Sequence, residues 1–390
     1  MNYKSILVFL LFIIIFFLFG CSYKEECHNA STISIGGPGS DDTYNNFGVF
    51  NAERGIIYYC DPEIGIRTPI CTKINCDHQG ISPSNPSPNC DAYFTTFINC
   101  IAVFGDHLYA VCSPEDEGLF VKEFIKSDKD GTNRKILYKA EDICYFGSGI
   151  YENGYFVYSF YNKEDINGNK LEKNKIGLII MNLETEEVKR VDLSDACDGK
   201  ILTANVIKKD IYYMLSYVTE NLSMYDYDFV TSQEGIEKFR NSSRAEIWKY
   251  NLESGITSFV DSRTFDNTSY RLGFGHILKG YDEDKKFELI DLTNNRMLSI
   301  VVENYNSANV AMFDDGILFI KNGHIKLWRY GTEHLEKIGE YKEKSLHINW
   351  VTDRWVYGTV FTNDGGLTCV WPKEEFMSGN MKWEKLILRN

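Results

Sequence analysis

Short apolar segments alternate with short polar turns along most of the chain. The segment 57–60 reads Ile-Tyr-Tyr-Cys and precedes a turn, 61–65, that reads Asp-Pro-Glu-Ile-Gly. The segment 179–181 reads Ile-Ile-Met and precedes Asn-Leu-Glu-Thr at 182–185. β-Branched and aromatic residues favour strands, and Asp, Asn, Gly and Pro favour turns. The pattern therefore predicts β-hairpins.

These hairpins recur as a repeat. Copies of the first hairpin lie at 57–65, 124–131, 179–185, 247–255, 289–294 and 327–332. A second hairpin precedes most of them, with turns at Gly105-Asp106, Glu152-Asn153-Gly154, Lys209-Asp210, Asp314-Asp315-Gly316 and Asp353-Arg354. Two hairpins make a unit of four strands, and the spacing of the units resembles the roughly 40–50 residues of a propeller blade.

The repeat predicts an all-β fold, a β-propeller with seven blades of four antiparallel strands. A single four-stranded sheet cannot bury both of its apolar faces, whereas radially arranged sheets cover one another and expose only short edges. A pair of β-sandwich domains also uses short strands and regular turns, and it is the alternative fold. No long amphipathic helical stretch competes with these predictions.

The N-terminus has the features of a bacterial export signal. Lys4 precedes an apolar run at 6–19, which is shorter than the about 20 residues that span a bilayer and fits a signal peptide. The run ends in Leu18-Phe19-Gly20-Cys21, which resembles the lipobox of bacterial lipoproteins. We therefore expect a signal peptide at 1–20, lipid (palmitate) on Cys21, a tether at 21–44 and the propeller at 45–390. An ordinary signal peptide and an uncleaved anchor are the alternatives.

Composition narrows the possible partners. The chain has 390 residues, a net charge of −14 and 44% apolar residues, which suffices for a large core. An acidic surface disfavours nucleic acid, which requires a basic face. The expected location is the extracytoplasmic face of the cell membrane, where the lipid would be the membrane contact.

Cys71, Cys76, His78 and Cys90 form the sharpest chemical pattern, within an insertion at 71–93. Three thiolates and one imidazole are a common set of four ligands for structural zinc, and four protein ligands leave no open position for catalysis. Disulfides are the alternative at an extracytoplasmic site, including pairs with Cys60 or Cys100, and free thiols are a third. Of the other cysteines, Cys27 beside His28 is a weaker candidate, and small core residues are expected at Cys112, Cys144, Cys197 and Cys369.

Four features of the sequence carry a resemblance to known proteins: the lipobox, the segment 58–62 (Tyr-Tyr-Cys-Asp-Pro), Cys71-x4-Cys76-x-His78 and the segment 90–94 (Cys-Asp-Ala-Tyr-Phe). With them the chain resembles WD-repeat-like and TolB-like propellers and, more narrowly, uncharacterised propeller lipoproteins of Gram-positive anaerobes. It implies the propeller fold and the lipid anchor, and it implies no activity.

Binding is the leading functional hypothesis. The long segment 220–244 contains Tyr225, Tyr227 and Phe229 and predicts a short helix at 234–240. Long loops on a rigid scaffold commonly carry ligand sites, so we expect these three aromatic residues to contact a protein, peptide or glycan. Packing of the loop onto its own scaffold is the equal alternative.

Two further long insertions, 113–119 and 162–175, should lie on the same face of the propeller, together with 71–93. The sequence contains no Gly-x-Ser-x-Gly, His-Glu-x-x-His or phosphate-binding Gly-rich loop before a helix, so no catalytic residue is assigned. The rival functions are an extracytoplasmic glycan hydrolase or lyase with an axial site, and an assembly or sensory partner of a membrane complex.

Overall fold

Strands account for nearly all of the regular structure of the described residues. The computed structural model describes residues 32–33, 43–44, 47–95, 97–114, 121–143, 145–193, 199–219, 229, 232–264, 270–281, 285–302, 310–321, 323–341, 345–363, 365–380, 382 and 384–385. Within these ranges, neighbouring strands in the sequence pair antiparallel into seven sheets.

The first three sheets, blades 1 to 3, occupy the N-terminal half. Blade 1 contains β1 (Thr32–Ile33), β2 (Thr43–Tyr44), β3 (Val49–Glu53), β4 (Ile56–Cys60) and β5 (Arg67–Pro69). Blade 2 contains β6 (Phe97–Phe104), β7 (His107–Ser113), β8 (Lys122–Asp128) and β9 (Lys135–Ala140). Blade 3 contains β10 (Tyr145–Glu152), β11 (Tyr155–Glu164), β12 (Lys170–Asn182) and β13 (Val188–Asp192). β1 and β2 lie within 21–44, the segment expected to be a tether, and they are the first two strands of the blade 1 sheet.

Blades 4 to 7 complete the ring. Blade 4 contains β14 (Lys200–Ile207), β15 (Asp210–Val218), α1 (Gln233–Ser242), β16 (Ser243–Asn251) and β17 (Thr257–Thr264). Blade 5 contains β18 (Tyr270–Gly273), β19 (His276–Tyr281), β20 (Lys286–Asp291) and β21 (Met297–Val301). Blade 6 contains β22 (Val310–Phe313), β23 (Gly316–Lys321), β24 (His324–Arg329) and β25 (Leu335–Glu340). Blade 7 contains β26 (Ser345–Val351), β27 (Trp355–Thr362), β28 (Gly365–Pro372), α2 (Lys373–Met377) and β29 (Glu384–Lys385).

The core lies between the sheets, as the alternating pattern requires. Tyr109 and Phe124 of blade 2 pack in one buried cluster with Phe156 and Tyr158 of blade 3. Similar clusters fill the other contacts between neighbouring blades, which we call seams. The predicted seven-bladed propeller is confirmed, and the β-sandwich alternative was wrong.

Asp and Asn side chains shape the turns between the third and fourth strands. Asn182 Oδ1 accepts hydrogen bonds from the backbone N–H groups of Glu184 and Thr185. Asn251 does the same for Glu253 and Ser254. These local bonds mimic a backbone turn, which explains why the same short polar pattern recurs from blade to blade.

The long insertions follow the second strand of their blades. Because strands alternate in direction, links between second and third strands lie at the same face as the links between blades. The link between β7 and β8 covers 114–121, β11 and β12 extend to a turn at 165–169, and the link between β15 and β16 covers 219–242 and includes α1. The helix predicted at 234–240 is present, with longer bounds.

Several predictions concern parts of the chain outside the described residues. These are the signal peptide 1–20, the lipid site Cys21, the pair Cys27-His28, Cys144, Cys197, Tyr225 and Tyr227. Among the described helices, none has the length and apolar character that a bilayer crossing requires.

Candidate metal centre

The segment 70–96 carries the chain from the outer strand of blade 1 to the first strand of blade 2. Ile70 N–H donates to the carbonyl of Ile57 at 3.1 Å, and Ile57 N–H donates to that of Ala92 at 2.8 Å. Phe94 N–H then donates to the carbonyl of Gly55 at 2.9 Å. Both ends of the segment therefore lie along the same edge of β4, and the residues between them fold back into a closed loop.

Tight turns and one lysine bring the two halves of this loop together. Asn75 and His78 adopt left-handed backbone conformations, with φ of 62° and 52°. Lys73 Nζ lies 2.7 Å from Asp91 Oδ1 and 2.9 Å from Asn89 Oδ1. The first half of the loop is thus fixed to the second half beside Cys90.

Cys71, Cys76, His78 and Cys90 converge inside the loop. Their ligand atoms all lie within 4.8 Å of one another, and Cys90 Sγ is 3.6 Å from His78 Nδ1. Cys90 is buried, and the other three are half-buried. The structure therefore brings together all four residues that the sequence pattern singles out.

The thiols of the cluster influence one another electrostatically. Burial raises the pKa of the Cys90 thiol to about 12, and the nearby thiols of Cys76 and Cys71 add to the rise. For Cys71, burial also raises the pKa, but hydrogen bonds from the backbone N–H groups of Lys73 and Asp91 and from the neighbouring thiols outweigh it and lower the pKa. A divalent cation among such thiolates removes their mutual repulsion and favours their deprotonated form.

Arg134 anchors the loop to blade 2. Its guanidinium donates to the carbonyl of Tyr93 at 2.6 Å and also to that of Asp91. It lies over the ring of Phe94, with its central carbon 3.9 Å from the ring centroid. Gly131 allows the loop to approach blade 2 this closely, because a Cβ atom at that position would lie 2.0 Å from the Asp91 carbonyl oxygen.

Two clefts border this part of the seam between blades 1 and 2. One, of about 430 Å³, is lined by polar groups that include Lys73, Asn89 and Arg134. The other, of about 420 Å³, is lined mainly by apolar side chains that include Phe47 and Phe50.

The other described cysteines lie apart from the cluster. Cys60 packs in the core between blades 7 and 1, and Cys100 packs between blades 2 and 3. The structure therefore does not bring either one to the cluster as a disulfide partner. Cys112 and Cys369 are buried within strands, and no disulfide joins any two of the seven cysteines that the structure describes.

Phe229 is the one predicted ligand-binding aromatic residue that the structure describes. Its ring lies edge-on to Phe239 of α1, with 6.4 Å between centroids. Ser232 Oγ donates to the carbonyl of Phe229 at 2.7 Å and accepts from Gly235 N–H at 3.0 Å, which caps the helix. Phe229 thus packs the loop against its own helix.

Comparison with solved structures gives similarity in fold at low sequence identity. The acylaminoacyl peptidase of Pyrococcus horikoshii shares 11% identity and a TM-score of 0.49 over 92% of this chain, which spans about half (52%) of that protein. The β-propeller domain of the Trilobed protease from Pyrococcus furiosus shares 11% identity and a TM-score of 0.48, with coverage of 92% of this chain and 96% of that domain. Dipeptidyl peptidase 4 of Porphyromonas gingivalis shares 12% identity and a TM-score of 0.46, with coverage of 88% of this chain and 52% of that protein.

No protein-family model matches the sequence, and no curated protein matches it either. The similarity to these solved structures carries no activity over to this chain.

Sequence analysis missed the residues that support the cluster. Lys73, Arg134 and Gly131 are ordinary turn residues in the sequence, and Arg134 is more than 40 positions from Cys90. The position of Lys73 two residues after Cys71 was the only available signal.

Proposed function

We propose that this chain is a lipoprotein, anchored through Cys21 at the extracytoplasmic face of the membrane, whose propeller binds a protein, peptide or glycan of the cell envelope. The binding face in this proposal is the one that carries the links between second and third strands. The lipobox at 18–21 supports the anchor.

The uneven length of those links carries the binding part of the proposal. In blades 1, 6 and 7 they contain two residues each, at 54–55, 322–323 and 363–364. The three long insertions, in contrast, belong to blades 2, 3 and 4, which are neighbours in the ring. Long loops gathered on one sector of a rigid scaffold are a common basis of recognition.

One experiment with two readouts tests the proposal. The full chain and the Cys21→Ala variant are expressed in a bacterium fed labelled palmitate, and the label should enter only the unchanged chain. Binding of the full chain to purified peptidoglycan and to envelope fractions, with and without protease treatment, then separates glycan from protein ligands.

Tyr225→Ala combined with Tyr227→Ala should weaken that binding roughly tenfold or more, because truncation of a central aromatic contact costs about 2 kcal/mol or more. Ile256→Ala is the matched control, since Ile256 is 65% exposed in a turn at the opposite face of the same blade. Equal label in wild type and Cys21→Ala would contradict the anchor. Unchanged binding by the tyrosine variant would contradict the binding face.

A further inference from the structure

We propose that Cys71, Cys76, His78 and Cys90 bind one Zn²⁺ ion, which closes the 70–96 loop at the seam between blades 1 and 2. The proposal concerns a structural metal site and does not depend on the ligand-binding role proposed above.

The donor atoms have the right chemistry and nearly the right spacing. Zinc binds thiolate sulfur at about 2.3 Å and imidazole nitrogen at about 2.0–2.1 Å in a tetrahedron, which separates the ligand atoms of this set by about 3.5–3.8 Å. Cys90 Sγ and His78 Nδ1 are 3.6 Å apart, and all pairs lie within 4.8 Å. Small side-chain movements would complete the tetrahedron without a change of backbone path.

The donor set also distinguishes zinc from calcium and magnesium. Calcium and magnesium take oxygen ligands, whereas three sulfurs and one nitrogen in a tetrahedron favour zinc. The backbone N–H groups of Lys73 and Asp91 donate to Cys71, and that of Ala92 donates to Cys90. Such outer hydrogen bonds orient thiolate ligands and stabilise their charge.

A disulfide explains less of this arrangement. It would use two of the three thiols, and it would leave the third thiol and the imidazole without a role in the cluster. Cys60 and Cys100 face other seams, so neither supplies a fourth thiol. Zinc, in contrast, uses all four converging atoms.

The ion would fix a loop that secondary structure alone holds only at its ends. Cys71 follows Ile70, the last residue bonded to the edge of β4, and Cys90 precedes the residues 92–94 that return to that edge. Zinc would therefore join the point where the chain leaves blade 1 to the point where it turns toward blade 2.

The test uses the full chain, purified in detergent without reductant or chelator. Elemental analysis should give about one zinc per chain, and chelator should lower the melting temperature. Cys76→Ser and His78→Ala should each reduce the amount of zinc bound per chain about tenfold or more. Chelator should then leave the melting temperatures of these variants unchanged. Cys112→Ala is the matched control, because Cys112 is buried in the same core cluster and should leave zinc binding intact.

A second variant keeps the test valid if the loss of a ligand impairs folding. His78→Cys should retain the metal. With cobalt in place of zinc, its thiolate-to-cobalt absorption should exceed that of the wild type in the ratio of four thiolates to three. Zinc-free protein with a disulfide among Cys71, Cys76 and Cys90, or with three free thiols, would overturn the proposal. Full zinc content in Cys76→Ser would overturn it as well.

Discussion

At the scale of single residues, Arg134 shows how one side chain can position a loop. The 70–96 loop bonds to the edge of β4 in blade 1, and Arg134 fixes it to blade 2. Its guanidinium donates to three backbone carbonyls, those of Asp91, Tyr93 and Gly131. The planar group also stacks on Phe94. A lysine carries the same charge but cannot reproduce this fork of donors or the stacking.

Arg134→Lys should therefore lower the free energy of unfolding by about 1.5–3 kcal/mol, the usual range for hydrogen bonds to a charged group. Denaturant unfolding in excess zinc measures the loss independently of metal occupancy. Arg329→Lys is the matched control, because Arg329 pairs with Glu336 at 3.4 Å between half-exposed side chains, and such pairs contribute about 0–1 kcal/mol. Equal effects of the two substitutions would contradict this role of Arg134.

At the scale of elements, a turn of blade 3 contacts strands of the neighbouring blade 2. Glu186, in the turn between β12 and β13, lies 2.7 Å from Lys126 of β8 and 2.6 Å from Lys135 of β9. These hydrogen bonds and charges lower the pKa of Glu186 to about 2. The carboxylate therefore stabilises the contact between blades 2 and 3 while it remains ionised.

Glu186→Gln should lower the free energy of unfolding at pH 7 by about 1 kcal/mol or less, as expected for a partly exposed ion pair. Because the folded-state pKa lies below the usual value of about 4.3, this stabilisation is complete above pH 4.3 and disappears as the pH falls toward 2. Unfolding of wild type and variant from pH 7 to pH 2 should therefore converge, with the exposed Glu187→Gln as control. A difference that persists at pH 2 would exclude the ionic explanation.

The pattern of hydrophobic positions predicted most strands because Asp, Asn and Gly mark most of the turns between them. The turns at 105–106, 153–154, 314–315 and 353–354 lie between the strands that the sequence indicates. The turn predicted at Lys209-Asp210 begins one residue earlier, at Lys208, whose φ is 56°. The turn of blade 5 escaped detection because Phe274, an apolar residue with φ of 49°, occupies it.

The four members of the cluster could be predicted from the sequence, but the residues that support them could not. Cys71, Cys76, His78 and Cys90 stand out because their residue types are rare and closely spaced. The surroundings of Phe229 could not be predicted, since an aromatic residue in a long loop can face either solvent or its own helix. The structure places its ring against Phe239, and a ligand contact at Phe229 stays a prediction. Contacts between distant turns, such as those of Arg134, leave no pattern in the sequence.

At the scale of the whole molecule, the strands that the structure describes close the ring without exchange between the first sheet and the last. Among the described residues, every sheet consists of strands that are consecutive in the sequence, and none combines the first strands with the last. In the part of the chain that the structure describes, side-chain contacts join blade 7 to blade 1. Tyr44 and Tyr357 are buried with their rings 5.0 Å apart, and Asn349 Nδ2 donates to the Tyr44 hydroxyl at 3.2 Å.

This seam should be the place where the ring opens. Tyr357→Ala removes a fully buried aromatic side chain, and we expect a loss of about 3–5 kcal/mol. Tyr158→Ala is the matched control, because Tyr158 is equally buried between blades 2 and 3, which the short segment 141–144 joins covalently. Only Tyr357→Ala leaves the two blades at its seam free to separate.

Small-angle X-ray scattering and far-UV circular dichroism, recorded below the unfolding transition, distinguish the two variants. Tyr357→Ala should increase the radius of gyration with little loss of strand content, since each sheet retains its own four or five strands. Tyr158→Ala should keep the wild-type dimensions until the sheets themselves unfold. Equal expansion of both variants would mean that the covalent links between blades do not restrain the ring, and that the seam between blades 7 and 1 is no weaker than the others.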